Sequence, residues 1–248
     1  MISRQRGFTL ISLMVGTVVS MVGILALMFL YKDMVQTSVI ALSNAKQDGQ
    51  IASAQLTAQK ELLTAGFAVV GASALDAPSP RAIVLLKGTT LSSSNTLPGT
   101  PENIPYIPLS TATGDAEGNA IIWSYHETTT GSVQCAGLLA QRDTPGDPYR
   151  LYRLQSTGNC SEHLSSSSIT WSKTLLIAEG QTVPDTGEAK PWPFAARRTP
   201  CWPFGKRSDS SSTKYPQITV RTRASSVDSS GEPLITNTTV CLPNFPES

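Results

Sequence analysis

No charged side chain occurs from Phe8 to Tyr31, and the residues there are mostly apolar; Arg4 and Arg6 precede the run, and Lys32 and Asp33 follow it. As a helix, about 24 residues rising about 1.5 Å each reach about 36 Å. That exceeds the roughly 30 Å hydrocarbon core of a bilayer, which about 20 apolar residues cross. The pattern predicts a membrane-spanning helix. Its positive charges lie on the short N-terminal side, which places the N-terminus in the cytoplasm and the bulk of the chain outside it. A secretory signal peptide has a core of only about 7 to 15 apolar residues and ends in a small-x-small site. This run ends in Met28-Phe29-Leu30-Tyr31-Lys32, which has no such pair.

The helical period continues beyond the span. Val35, Val39, Leu42, Ala45, Ala52, Leu56, Leu63, Phe67 and Val70 step by three, four or seven residues and predict one apolar stripe. Gln36, Ser43, Lys46, Gln47, Gln50, Gln55 and Lys60 occupy the other faces. No proline falls between Phe8 and Leu75, so nothing forces a proline kink, although Asp48-Gly49 softens the middle. The helix is expected to close at Gly66 or Gly71 through a C-terminal glycine cap. Such a helix is far longer than the usual run of about 8 to 20 residues, so its first half must be buried in lipid or in other subunits.

Beyond it the pattern changes twice. From Ala72 to Asn119 the only clear apolar run is Ile83 to Leu86, which suits a short strand among six prolines and Ser92-Ser93-Ser94. From Asn119 onward a period of two takes over, with Ile121, Trp123 and Tyr125 on one face. Further strand candidates are Val133 to Ala140, Tyr149 to Gln155, Ile169 to Ala178, Gln217 to Ala224 and Asn237 to Leu242. Short β-prone runs between turn residues argue an antiparallel sheet, and packed on the helix they give an α+β domain.

Composition agrees with one exterior domain. About 215 residues lie beyond the span, enough for one sizeable core. The net charge is only +1, and charged residues make up 15% of the chain. That balance argues against a nucleic-acid-binding or helical cytosolic protein. Four cysteines on the oxidising side read as disulfides, not as a zinc site, because no C-x-x-C pair occurs and there are only two histidines. Of the three pairings open to them, Cys135 with Cys160 comes first, because Cys135 lies in a strand candidate and Cys160 closes the hairpin-like unit that starts at Tyr149. Cys201 with Cys241 would then tie the loop Thr199 to Gly205 to the last strand.

Candidate chemistry is sparse. His126 and His163 have no partner at a motif spacing and read as lone surface or sheet histidines. No G-x-S-x-G, H-E-x-x-H or P-loop pattern occurs. Asp143, Asp147 and Glu127 lack EF-type spacing, so no metal and no cofactor is assigned. One patch is less bland: Arg197, Arg198, Lys206 and Arg207, with Lys214, Arg221 and Arg223, cluster around Trp192, Phe194, Trp202 and Phe204. Basic residues interleaved with aromatics can hold an anionic ligand such as nucleic acid by phosphate contact and stacking. The favoured reading is a solvated loop whose aromatics pack on the sheet.

The junction Arg6-Gly7-Phe8-Thr9-Leu10-Ile11, at the head of the apolar helix, resembles the type III signal of type IV prepilins and type II secretion pseudopilins. The resemblance implies a pilin-like fold and cleavage by a prepilin peptidase between Gly7 and Phe8, with N-methylation of Phe8. It also implies residence in the inner membrane with the C-terminal domain periplasmic, and later incorporation into a filament. The expected partners are an inner-membrane assembly platform, other minor pilins and a major pilin. The fifth mature residue, usually Glu in that family, is Ser12 here. A serine cannot neutralise a neighbour's N-terminal amine, and one explanation is a position at or near the filament tip.

Gln59-Lys60-Glu61-Leu62-Leu63-Thr64-Ala65-Gly66-Phe67, closing the long helix, is similar to PilW-like minor pilins and to J-type pseudopilins. The segments expected on this basis are a leader (1–7), a transmembrane and assembly half-helix (8–31) and an amphipathic half-helix (32–71). A connecting loop region (72–119) and a disulfide-tied antiparallel sheet region (120–248) complete them. The resemblance implies a non-enzymatic minor pilin that primes type IV pilus assembly. The alternatives are a J-type pseudopilin and, from another class, a membrane-anchored extracytoplasmic binding protein.

Overall fold

The computed structural model describes residues 10–69, 82–97, 116–144, 149–162, 164, 168–177, 192–201, 215–227, 229–231 and 233–245. One helix, α1, runs Leu10–Leu62. The chain divides into two compact units, Met1–Lys46 and Gln47–Ser248.

In the first unit every described residue of α1 is exposed, including Leu10, Met21 and Phe29, each with about 70% or more of its surface open. Its hydroxyls are turned inward: Thr17 Oγ1 donates to the Met14 carbonyl at 2.9 Å, and Ser20 Oγ donates to the Gly16 carbonyl at 2.8 Å. Polar groups satisfied within their own helix are what a hydrocarbon environment demands. Among the described residues α1 is the one helix long and apolar enough to cross a membrane.

Among the described residues, the second unit is built from the last turns of α1 and nine strands. These are β1 (Ile83–Leu86), β2 (Ala116–Gly118), β3 (Ala120–His126), β4 (Val133–Gln141), β5 (Arg150–Gly158), β6 (Thr170–Ile177), β7 (Phe194–Thr199), β8 (Tyr215–Val227) and β9 (Pro233–Cys241). They form two sheets, β1-β3-β4-β5-β6 and β2-β7-β8-β9, and every strand pairing is antiparallel. The α+β class read from the sequence is the class of the structure, a pilin-like layout with a long helix and antiparallel sheets. The sheet region consists of two sheets where one was expected.

The chain passes between the sheets at Asn119, which is 3% exposed. Its Oδ1 accepts from Thr89 N at 3.1 Å, and its Nδ2 donates to the carbonyls of Thr89 at 2.6 Å and Ala140 at 3.0 Å. A buried amide with all these partners fixes the crossing at little desolvation cost. Just before it, a side chain on Gly118 would collide with the Leu86 carbonyl oxygen, so the close approach of β2 to β1 needs glycine.

The principal core joins α1 to both sheets through Ile51, Ala58, Leu62, Trp123, Phe194 and Ile218. A second core covers the other face of the five-stranded sheet, where Ile122, Leu139 and Trp171 pack with Leu97. Five consecutive residues of β3 are therefore buried, although alternation had placed only Ile121, Trp123 and Tyr125 on an inner face. Leu91 and Leu97 of the proline-rich connection cover that second face together with Leu164 and Ile169. Leu97 is fully buried, and Thr96 bridges to Thr170 of β6.

One expectation about the helix is overturned. The stripe containing Leu56 and Phe67 faces outward, with 68% and 42% of those residues exposed. The buried stripe is Ile51, Ala54, Ala58, Leu62 and Ala65. Both stripes obey the helical period, so spacing cannot choose between them. Alanines look weakly apolar in a sequence, yet they let the helix approach the sheets closely.

Candidate assembly surfaces

The segment expected to be processed, Gly7-Phe8, lies outside the described residues, and Ser12 lies exposed in the first turn of α1. The outward stripe of α1 is a candidate contact surface. Within the second unit it carries Leu56 and, past the helix end, Phe67. A groove of about 400 Å³ runs beside it, lined by Leu56, Lys60, Glu61, Tyr125 and Arg153 among others. Arg153 Nε stands 2.5 Å from Glu61 Oε1 and ties β5 to α1, although the contact lies off the hydrogen-bond direction. Burial, followed by the negative charges of Glu127 and Glu61, pushes the Tyr125 phenol up, so it stays neutral and can donate.

The end of α1 is secured by the chain's own C-terminal residues. Asn244 Nδ2 donates to the carbonyls of Leu63 at 3.3 Å and Ala65 at 2.8 Å, which the helix leaves without partners. Gly66 adopts φ +72° beneath the Phe245 ring, where any side chain would strike the ring. The next turn is stitched to β3: Gly66 N donates to Ser124 O at 2.9 Å, and His126 N donates to Phe67 O at 3.0 Å.

His126 is therefore not a lone histidine. Its Nδ1 pairs with the Gly131 carbonyl at 2.8 Å and its Nε2 with Glu162 Oε1 at 2.9 Å. The carbonyl contact, and after it the carboxylate, raise its pKa above the usual value. Glu162 follows Cys160, and the Cys135–Cys160 disulfide joins β4 to the chain just past β5. A sequence separation of 36 residues hides the His126–Glu162 pair from any motif search. His163 lies outside the described residues. The second disulfide joins Cys201 to Cys241 at the end of β9.

Asp143 is engaged by two cations and a hydroxyl. Its Oδ2 accepts from Arg150 Nη1 and from the Tyr152 hydroxyl, each at 2.6 Å, and its Oδ1 accepts from Lys173 Nζ at 3.1 Å. The Tyr152 hydroxyl first, and then the two cations, hold its pKa below the usual carboxylate value. Among the described residues no three His, Cys, Asp or Glu side chains gather as metal ligands.

The basic patch takes a different form from the one expected. Arg197 and Arg198 lie in β7, not in a loop, and adjacent strand residues point to opposite faces. Arg197 Nε donates to Gln217 Oε1 at 2.8 Å, while Arg198 is on the face of Ala196 and Ile218. Arg221 pairs with Glu117 at 2.6 Å. Lys206 and Arg207 lie outside the described residues.

With this geometry in view, residues 2–28 match the family model of the prokaryotic N-terminal methylation motif. The match covers the Gly7-Phe8 junction and most of the apolar run, and it supports a type IV pilin-like precursor; the motif implies processing by a prepilin peptidase and assembly with other pilins. No curated protein and no solved structure matches the chain.

Proposed function

We propose that this protein is a minor pilin, a non-enzymatic subunit that primes assembly of a type IV pilus. The observation that carries the reading is the methylation-motif match at residues 2–28, which coincides with a helix whose first half buries nothing of its own chain. After cleavage between Gly7 and Phe8 and methylation of Phe8, the apolar helix waits in the inner membrane, its domain on the periplasmic side. It then joins a bundle of like helices and exchanges lipid for neighbours. The outward stripe through Leu56 and Phe67 supports this reading, because it offers those neighbours an apolar surface. Ser12, in place of the usual glutamate, supports a place near the tip, where one neighbour contact is missing.

The deciding experiment is the intact mass and N-terminal residue of the protein from cells with and without the prepilin peptidase. A chain that begins at methylated Phe8 only when the peptidase is present supports the reading. A chain that still begins at Met1, or is cut beyond Tyr31, overturns it in favour of a membrane-anchored binding protein. Deletion then separates the two filament systems: loss of pili supports a minor pilin, and loss of secretion supports a J-type pseudopilin. Ser12→Glu with subunit counting tests the tip position, and unchanged copy number and location would remove that argument.

A further inference from the structure

The strands at the edges of the two sheets are treated very differently. An edge strand offers unpaired N–H and C=O groups to any passing strand, and proteins protect such edges with short length, charge or covering segments. In the five-stranded sheet, β1 has only four residues, all buried. At the opposite edge, the start of β6 is covered by the turn that follows β1: Trp171 N donates to Asn95 O at 2.8 Å, and Thr170 bridges to Thr96. It also carries Lys173. In the four-stranded sheet, β2 has three residues.

The remaining edge, β9, has none of these protections among the described residues. It is nine residues long, and no charged side chain occurs from Leu234 to Cys241. Residues 234–237 and 239 are exposed, with Leu234 at 47% and Ile235 at 38%. From Ile235 to Cys241 it pairs residue for residue with Arg223 to Gln217, without a bulge. A regular antiparallel edge of this kind turns alternate N–H and C=O groups outward along its whole length. Beside it stands Arg223, opposite Ile235 and on the face away from the core, its Nε buried with no hydrogen-bond partner.

We propose that the outer edge of β9 receives an extended strand from another pilin-type subunit, uncharged over most of its length and carrying a carboxylate that reaches Arg223. The inference rests on the assembly reading above. Backbone pairing supplies the attraction, and the β-branched outer face of Ile235 and Thr239 suits a strand of similar composition. A second copy pairing β9 with β9 is the wrong occupant. Such a contact is isologous and closes after two chains, whereas filaments grow through heterologous contacts.

The test places a photoreactive amino acid at Asn237 in the full chain, expressed with its native partner subunits, and a control probe at Ser172 on β6. The expected result is a light-dependent adduct at Asn237 with a subunit that carries the same N-terminal methylation motif, and at least tenfold less at Ser172. Thr239→Lys or Arg223→Glu should each lower that adduct about tenfold in chains that remain disulfide-bonded and protease-resistant. Equal adducts at the two edges, an adduct with a second copy of this chain, or an adduct indifferent to both substitutions overturns the inference. If the chain is processed at Gly7 and Asn237 yields no adduct, the strand-addition idea fails and the assembly reading stands. If the chain is not processed, both fall.

Discussion

The two halves of α1 belong to one uninterrupted helix and follow opposite rules. From Leu10 to Lys46 no side chain is buried, although the segment is rich in leucine, methionine and valine. From Gln47 to Leu62 the buried residues are few, two large and two small: Ile51 at 5%, Ala54 at 2%, Ala58 at 1% and Leu62 at 0% exposure. The polar residues of this half make specific contacts with the sheets. Asp48 accepts from Ser225 Oγ at 2.8 Å, and Gln55 Nε2 donates to Thr222 Oγ1 at 2.8 Å. Burying a large aliphatic side chain is worth about 1.5 to 3 kcal/mol. The first half gains none of this within its own chain, so its sequence suits a second medium, lipid or neighbouring helices. The second half is specified by this protein's own sheets.

That division is most sharply tested by truncating the one large buried residue near the helix end. Leu62→Ala should lower the unfolding free energy by about 3 to 4 kcal/mol, as for other fully buried leucines. Chemical denaturation followed by tryptophan fluorescence would measure it, and membrane insertion should be unaffected. Leu25→Arg should do the reverse. A charge near mid-membrane costs about 3 kcal/mol for insertion. The protein should lose its membrane fraction while the disulfide-tied unit keeps its denaturation midpoint. If Leu25→Arg shifts that midpoint, the two halves are not independent. Ala58→Leu should cost about 2 kcal/mol by overpacking the helix against the sheets. The same change at exposed Ala52 should be close to neutral.

The sequence revealed the members of this comparison more readily than their orientation. The span, the unbroken helix and seven of the nine described strands follow from charge gaps, proline positions, apolar runs and period-two alternation, which are local signals. The buried face of α1 does not. Leu56 and Phe67 outrank Ala54 and Ala58 in hydrophobicity, and only the shape of the sheets decides that alanines fit. The strand β7 leaves no alternating signal because the face of Phe194 and Ala196 also carries Arg198, while the other face places Ala195 beside Arg197. The three-residue β2 is too short to leave a pattern. His126 looked isolated because its partner Glu162 is brought to it by the fold, from just beyond Cys160.

The smallest predicted effect depends on that histidine, and it also separates the two halves, because no group titrates in the chain between Phe8 and Tyr31. His126 has a raised pKa, from the Gly131 carbonyl first and the Glu162 carboxylate next. A raised value means that the folded state binds the proton more tightly than the unfolded chain does. Its contribution to stability is therefore complete below the unfolded value of about 6.5 and is lost as pH rises through the higher folded value. The consequence should be local, because His126 N also holds the Phe67 carbonyl after the helix end. Hydrogen exchange at residues 63–69 and 159–162 should slow below that window once intrinsic rates are corrected. Glu162→Gln should shrink the pH effect and His126→Gln abolish it, whereas amides between Leu13 and Leu30 should show none. An undiminished pH effect in His126→Gln would assign it to another group, and a pH effect within the span would end the separation of the two halves.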